Sequence, residues 1–240
     1  MTAYHTATIS ISHRTMTQIP SRTPSPGSES AGLRNAIVYN LPPVSTPAYP
    51  PAMPELIRLL KERHEAVLSV TKPGDMAGQA LLADNLESLS FALAFFERLD
   101  LNRLYPDYPL QIAIIGPTQA GKSTLINQLL QSPVAEPSPL AGYTIHPQGF
   151  SVNRPPRQVD WATRYFRDYQ RMTRENLPRD HYDCWTLDEA PAARDNPLSG
   201  KILWDTPDFD SVDAVDYQSA VLRVAALADV ILLVLSKDKY

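Results

Sequence analysis

An apolar run, a turn punctuated by glycines and a helix start, in that order, constrain this chain more than any other feature. Leu110, Ile112, Ala113, Ile114 and Ile115 make a run of strand length. Gly116-Pro-Thr-Gln-Ala-Gly-Lys-Ser123 follows, and Thr124-Leu-Ile-Asn-Gln-Leu-Leu130 continues with apolar residues at helical spacing. In such an arrangement glycines let backbone N–H groups turn inward and the helix dipole favours negative charge. A lysine at the place of Lys122 reaches the outer groups of a polyphosphate. The expectation is a nucleoside-phosphate site built from Gly116, Pro117, Thr118, Gln119, Ala120, Gly121, Lys122, Ser123 and Thr124.

The remaining composition narrows the class. At 240 residues and 43% hydrophobic content the chain can bury a core in one or two domains. A net charge of −4 argues against general nucleic-acid binding. The single cysteine, Cys184, excludes an intrachain disulfide and fits a reducing compartment. No apolar run has the length to span a bilayer and no secretory leader is evident, so a cytoplasmic protein is expected.

Three segments follow from patterning. Residues 1–53 are rich in Ser, Thr and Pro with one acid, Glu29, and read as a disordered tail. Organellar transit peptides share that composition, but no amphipathic arginine helix accompanies it. Residues 54–104 read as a helical hairpin. Leu56, Leu59, Leu60, His64, Val67 and Leu68 lie on one face of the first helix, and Leu82, Leu86, Leu89, Leu93 and Phe96 on a stripe of the second, about 77–99. Both are expected to pack on the domain that follows, with His64 at the hairpin's boundary. Residues 105–240 alternate strand and helix. Strands are expected at 110–115, 149–152, 184–187, 200–205 and 230–235, and helices at 122–131, 161–176 and 215–226.

Ile202-Leu-Trp-Asp205-Thr-Pro-Asp208 puts a carboxylate at the end of an apolar strand downstream of the phosphate loop. Mg²⁺ takes hard oxygen ligands and keeps several waters, so Asp205 is expected to act beside the hydroxyl of Ser123. With Gly116–Asn127, Thr144 within Ala141-Gly-Tyr-Thr-Ile-His-Pro147, Asp205-Thr-Pro and Ala228-Asp-Val-Ile-Leu-Leu-Val234, the stretch 110–240 resembles the Era-like and dynamin-like GTPases, of the translation-factor-related class. The resemblance implies an α/β fold: the three-layer αβα sheet of P-loop NTPases, C-terminally incomplete, preceded by the hairpin and the tail. It further implies GTP or GDP and Mg²⁺ as ligands, with Ser123, Thr144 and Asp205 around the metal and Lys122 and Thr144 assisting hydrolysis.

The chain departs from that pattern at several points. The family's Asp-x-x-Gly glycine, whose N–H meets the terminal phosphate, is here Asp208, and a carboxylate there repels phosphate unless it points away or meets a cation. Phe209 stands where many GTPases carry a water-orienting Gln, a residue that these groups also commonly lack. Gln119 replaces the Asn with which some relatives hold K⁺. No Asn- or Thr-Lys-x-Asp guanine motif is present. Thr71-Lys-Pro-Gly-Asp75 has its acid one residue too far along, and Ser236-Lys-Asp-Lys-Tyr240 has it adjacent to lysine. That motif is expected beyond Tyr240, in a longer parent protein. The rivals to a GTP hydrolase, acting as a switch or assembly factor, are therefore a non-hydrolysing nucleotide-binding scaffold and a P-loop ATPase. Arg154, Arg157, Arg164, Arg167, Arg171 and Arg174, interleaved with Trp161, Tyr165, Phe166 and Tyr169, suggest an insertion at 153–176 that could meet RNA or a protein. A solvated helix is the plainer reading. A homodimer contact is a further partner expectation.

Overall fold

The computed structural model describes residues 36–40, 52–71, 75–135, 144–156, 159–209 and 214–235. Two helices, α1 (Met53–Val70) and α2 (Met76–Leu104), precede the α/β part. There β2 (Gln111–Ile115) leads into α3 (Lys122–Leu130), and β3 (Gln148–Val152) into the short α4 (Asp160–Tyr165). Then come β4 (Gln170–Arg171), β5 (Cys184–Ala190), β6 (Ile202–Asp205), α5 (Ala214–Leu227) and β7 (Val230–Val234). With β1 (Ala36–Asn40) the strands form one seven-stranded sheet in the order β1-β7-β2-β6-β3-β5-β4. Strand β2 pairs in parallel with both β6 and β7, whereas β3 runs antiparallel to β6.

The sheet is covered on both sides, which explains why β2 and β6 are buried at every residue. Alternate residues of β2 serve opposite layers. Ile112 and Ile114 pack with Ile126 and Leu130 of α3, while Ala113 and Ile115 join Val221, Val224 and Leu227 of α5 and Leu101 of α2. This is the three-layer α/β fold of P-loop NTPases. The parallel pair β2/β6 ends on one edge, with Ile114 opposite Asp205. In such sheets ligands bind at the strands' carboxyl ends.

Three expectations need correction. Residues 36–40, assigned to the disordered tail, form β1, which pairs antiparallel with β7 from Ala36 opposite Val234 to Asn40 opposite Val230. A short β-branched and aromatic run found partners that its Pro-rich neighbours concealed. The other residues of the tail up to 51 lie outside the described residues. The helix expected over 161–176 stops at Tyr165, followed by β4 and a 3₁₀ turn at Arg174–Asn176. Its aromatic spacing is used differently: Phe166 stacks on Trp185 at 4.9 Å and lies 5.2 Å from Trp204, while Gln170–Arg171 add a strand to β5. On α1 the expected inward stripe faces out. Leu56, Leu59, Leu60 and Val67 are exposed, and Ile57 is the residue that α1 buries. The hairpin is held mainly by the C-terminal half of α2, through Leu93, Ala94, Leu99 and Leu101. His64 bonds the carbonyl of Leu60 within its own helix.

Polar anchoring of the hairpin converges on Glu97. Its carboxylate accepts from Arg223 of α5 at 2.8 Å, from Arg167 at 2.5 Å and, at 3.5 Å, from Arg58 of α1. Beside it, buried Arg98 donates to Asp229 at 2.5 Å. Arg223 is itself buried, so removing its anion leaves an uncompensated cation inside the protein. Glu97→Gln is expected to lower unfolding stability by about 2–4 kcal/mol in urea denaturation. Loss below about 0.5 kcal/mol would mark Glu97 as an ordinary surface pair.

Candidate phosphate-binding site

Between β2 and α3 the backbone takes up two left-handed conformations, at Gln119 (φ 60°) and Gly121 (φ 90°). Gly121 is the N-cap of α3, so it supplies the left-handed turn without strain and puts no side chain over the helix end. Gly116 is required for another reason. A Cβ there would lie 2.5 Å from the carbonyl oxygen of Val234 in the neighbouring strand β7. The loop is closed by a bond from Ala120 N–H to Pro117 O at 3.2 Å, and α3 starts with Leu125 N–H to Gly121 O at 2.8 Å.

The loop lysine turns back over this frame. Lys122 is buried, and its Nζ donates to Gly116 O at 3.1 Å, to Pro117 O at 3.3 Å and to the carboxylate of Asp208. Ser123 Oγ donates to Asp205 Oδ2 at 2.7 Å. Asp205 is almost completely buried, and its other oxygen, Oδ1, is buried with no hydrogen-bond partner among the described residues. Burial pushes the Asp205 carboxyl up to about 6, with nearby Asp208 adding to the rise; the Ser123 hydrogen bond and Lys122 oppose it. Thr206 Oγ1 donates to Ile114 O at 2.9 Å, pinning the turn after β6 against β2. Thr144 is buried and lines a cavity of about 260 Å³ together with His146, Arg174, Arg179 and Asp205.

The expected residues thus converge: the loop, Lys122, Ser123, Asp205 and Asp208 are joined by direct bonds, and Thr144 shares a cavity wall with Asp205. The sequence did not announce the Lys122–Asp208 pair. The orphaned Oδ1 beside a serine hydroxyl fits a hard cation. Among the described residues no cluster of three His, Cys, Asp or Glu forms. A Mg²⁺ here would therefore share its protein ligands with phosphate oxygens and water, as that ion commonly does.

The sequence profile of the 50S ribosome-binding GTPase family matches residues 111–240, more than half of the chain. The chain belongs to this GTPase family. No curated protein matches it. As a GTPase-family member it takes a guanine nucleotide. In this GTPase Asp75, the acid of the decoy segment before the loop, caps α2 by accepting from Gly78 N–H at 3.0 Å, which is a structural role. Three described arginines of the GTPase's 153–176 segment are engaged within the protein: Arg167 binds Glu97, Arg171 lies over Trp185, and Arg174 lies over Phe150 and pairs with Asp188. Among the described residues no helix is long and apolar enough to cross a membrane.

Proposed function

We propose that the chain is a Mg²⁺-dependent GTP hydrolase of the Era-like or dynamin-like kind, used as a nucleotide-dependent switch or assembly factor. The observation that carries the metal is the buried Oδ1 of Asp205, without a hydrogen-bond partner among the described residues, next to the hydroxyl of Ser123. Ser123 and Asp205 would hold the ion, the latter through water, and Thr144 would complete the set from the cavity rim. Bound Mg²⁺ would neutralise charge on the outer phosphates. Lys122 and the N–H groups at the start of α3 would add fixed positive charge where the transferred group carries negative charge. Phe209 cannot orient water, so the attacking water would be positioned by Thr144 or by a partner, including a second copy of this chain.

The experiment is phosphate release from GTP by the full chain with and without Mg²⁺, alone and with candidate partners. Turnover that disappears on chelation is the expected result. Tight GTP binding with no turnover under any condition would leave the scaffold reading, which the engagement of Lys122 by Asp208 favours. Equal binding of ATP would move the assignment to an ATPase.

A further inference from the structure

The ammonium of Lys122 has three N–H donors. Three acceptors take them: the carbonyls of Gly116 and Pro117 and the carboxylate of Asp208. Two of these are neutral groups of the loop itself, while the third is a full anion delivered from beyond β6. Both charged side chains are buried, so the pair is little screened. The approach is held in place from β6, since Asp205 pairs in register with Ile114 and Thr206 is bonded to that residue's carbonyl.

We propose that Asp208 is a specificity-determining residue that biases the loop toward nucleoside diphosphates. Its carboxylate takes the lysine bond that a terminal phosphoryl group of a triphosphate would otherwise use. The proposal rests on the reading of the loop as a guanine-nucleotide site. A triphosphate brings one more anionic group to the same lysine. Either the carboxylate gives up its bond to Lys122, or two anions share one ammonium at close range. Both cost affinity. A diphosphate brings one anionic group fewer to the same lysine, so it competes less with the Asp208 carboxylate for the ammonium. Loading with triphosphate then requires the segment after β6 to release Lys122, which couples the state of that segment to the length of the phosphate chain.

The test is equilibrium binding of fluorescent GDP and of a fluorescent non-hydrolysable GTP analogue, both with Mg²⁺, to the 240-residue chain and to Asp208→Asn and Asp208→Gly. The wild-type chain is expected to prefer GDP by about tenfold or more, as the penalty for breaking or crowding a buried ion pair implies. Asp208→Asn keeps the shape and removes the charge. It should improve binding of the triphosphate analogue and shrink the preference by about tenfold. The glycine variant should do the same. Equal wild-type affinities, or a preference that both substitutions leave unchanged, would overturn the proposal while sparing the nucleotide site. Absence of binding by the wild type and by both variants would overturn the site reading with it. The wild-type comparison needs no variant, so a substitution that prevents folding does not rescue the idea.

Discussion

Lys122→Met is expected to abolish measurable guanine-nucleotide binding and to destabilise the protein at the same time. The first effect follows from the loss of the only side-chain cation, among the described residues, bonded to both the loop and the segment after β6. A loss of about a hundredfold or more in affinity corresponds to removing roughly 3 kcal/mol of charge-assisted bonding. The second effect comes from Asp208. Breaking a buried ion pair by removing its cation costs about 3–5 kcal/mol. The two effects separate in the double variant Lys122→Met with Asp208→Leu. Replacing both members of a buried ion pair by apolar groups of similar size is often neutral, so stability should return while binding stays lost. Urea denaturation and nucleotide titration of the wild type and the two variants read this directly. If the single variant kept wild-type stability, the buried pair would not have the structural weight assigned to it. If it kept its affinity, the loop would not be the phosphate site.

What could be read from the residues depended on how far apart the interacting groups lie in the chain. The phosphate loop is a contiguous device: strand, glycine turn and helix start are neighbours in sequence, so their order alone implied the local geometry. Asp205 was legible because an acid ending an apolar run is a local pattern as well. The Lys122–Asp208 bond joins residues 86 positions apart, and no local pattern encodes whether a carboxylate after a strand points at the loop or at solvent. Periodicity misled where another layer competed for the same residues. Tyr165, Phe166 and Tyr169 fit a helical stripe, but Phe166 satisfies itself against Trp185 and Trp204 and the helix ends. The leucines of α1 repeat with helical spacing, and the helix is nevertheless rolled so that Ile57 rather than Leu56 or Leu60 faces inward. Strand β1 was hidden by averaging, since Ala36–Asn40 is a brief strand-forming run within a Pro- and Ser-rich region.

Asp205→Asn is expected to make the nucleotide-free protein more stable while removing its response to Mg²⁺. The carboxyl of Asp205 titrates near 6 instead of near 3.8, because burial disfavours its charged form more than the Ser123 hydrogen bond supports it. An acid whose folded-state value is raised binds its proton more tightly in the native state. Its stabilising contribution is present at low pH and is lost as pH rises from about 4 to about 6. At neutral pH the ionised group therefore costs the fold about 3 kcal/mol. An amide carries no charge to desolvate and can still accept from Ser123, although its NH₂ lacks an obvious partner. The net gain should accordingly be about 1–3 kcal/mol, seen as a Tm several degrees higher at pH 7.5. Measured against the wild type, that gain should shrink as pH falls from about 6 toward 4 and vanish below it, where Asp205 is protonated in both states. The same group is the one a divalent cation would take over, because Mg²⁺ supplies the positive charge that the buried Oδ1 lacks. Wild-type protein with GDP should thus gain melting temperature on addition of Mg²⁺, whereas the variant with GDP should not. A nucleotide-free Asn variant less stable than wild type would show that the carboxylate is structurally satisfied. The case for a metal at the end of β6 would then lose its main support.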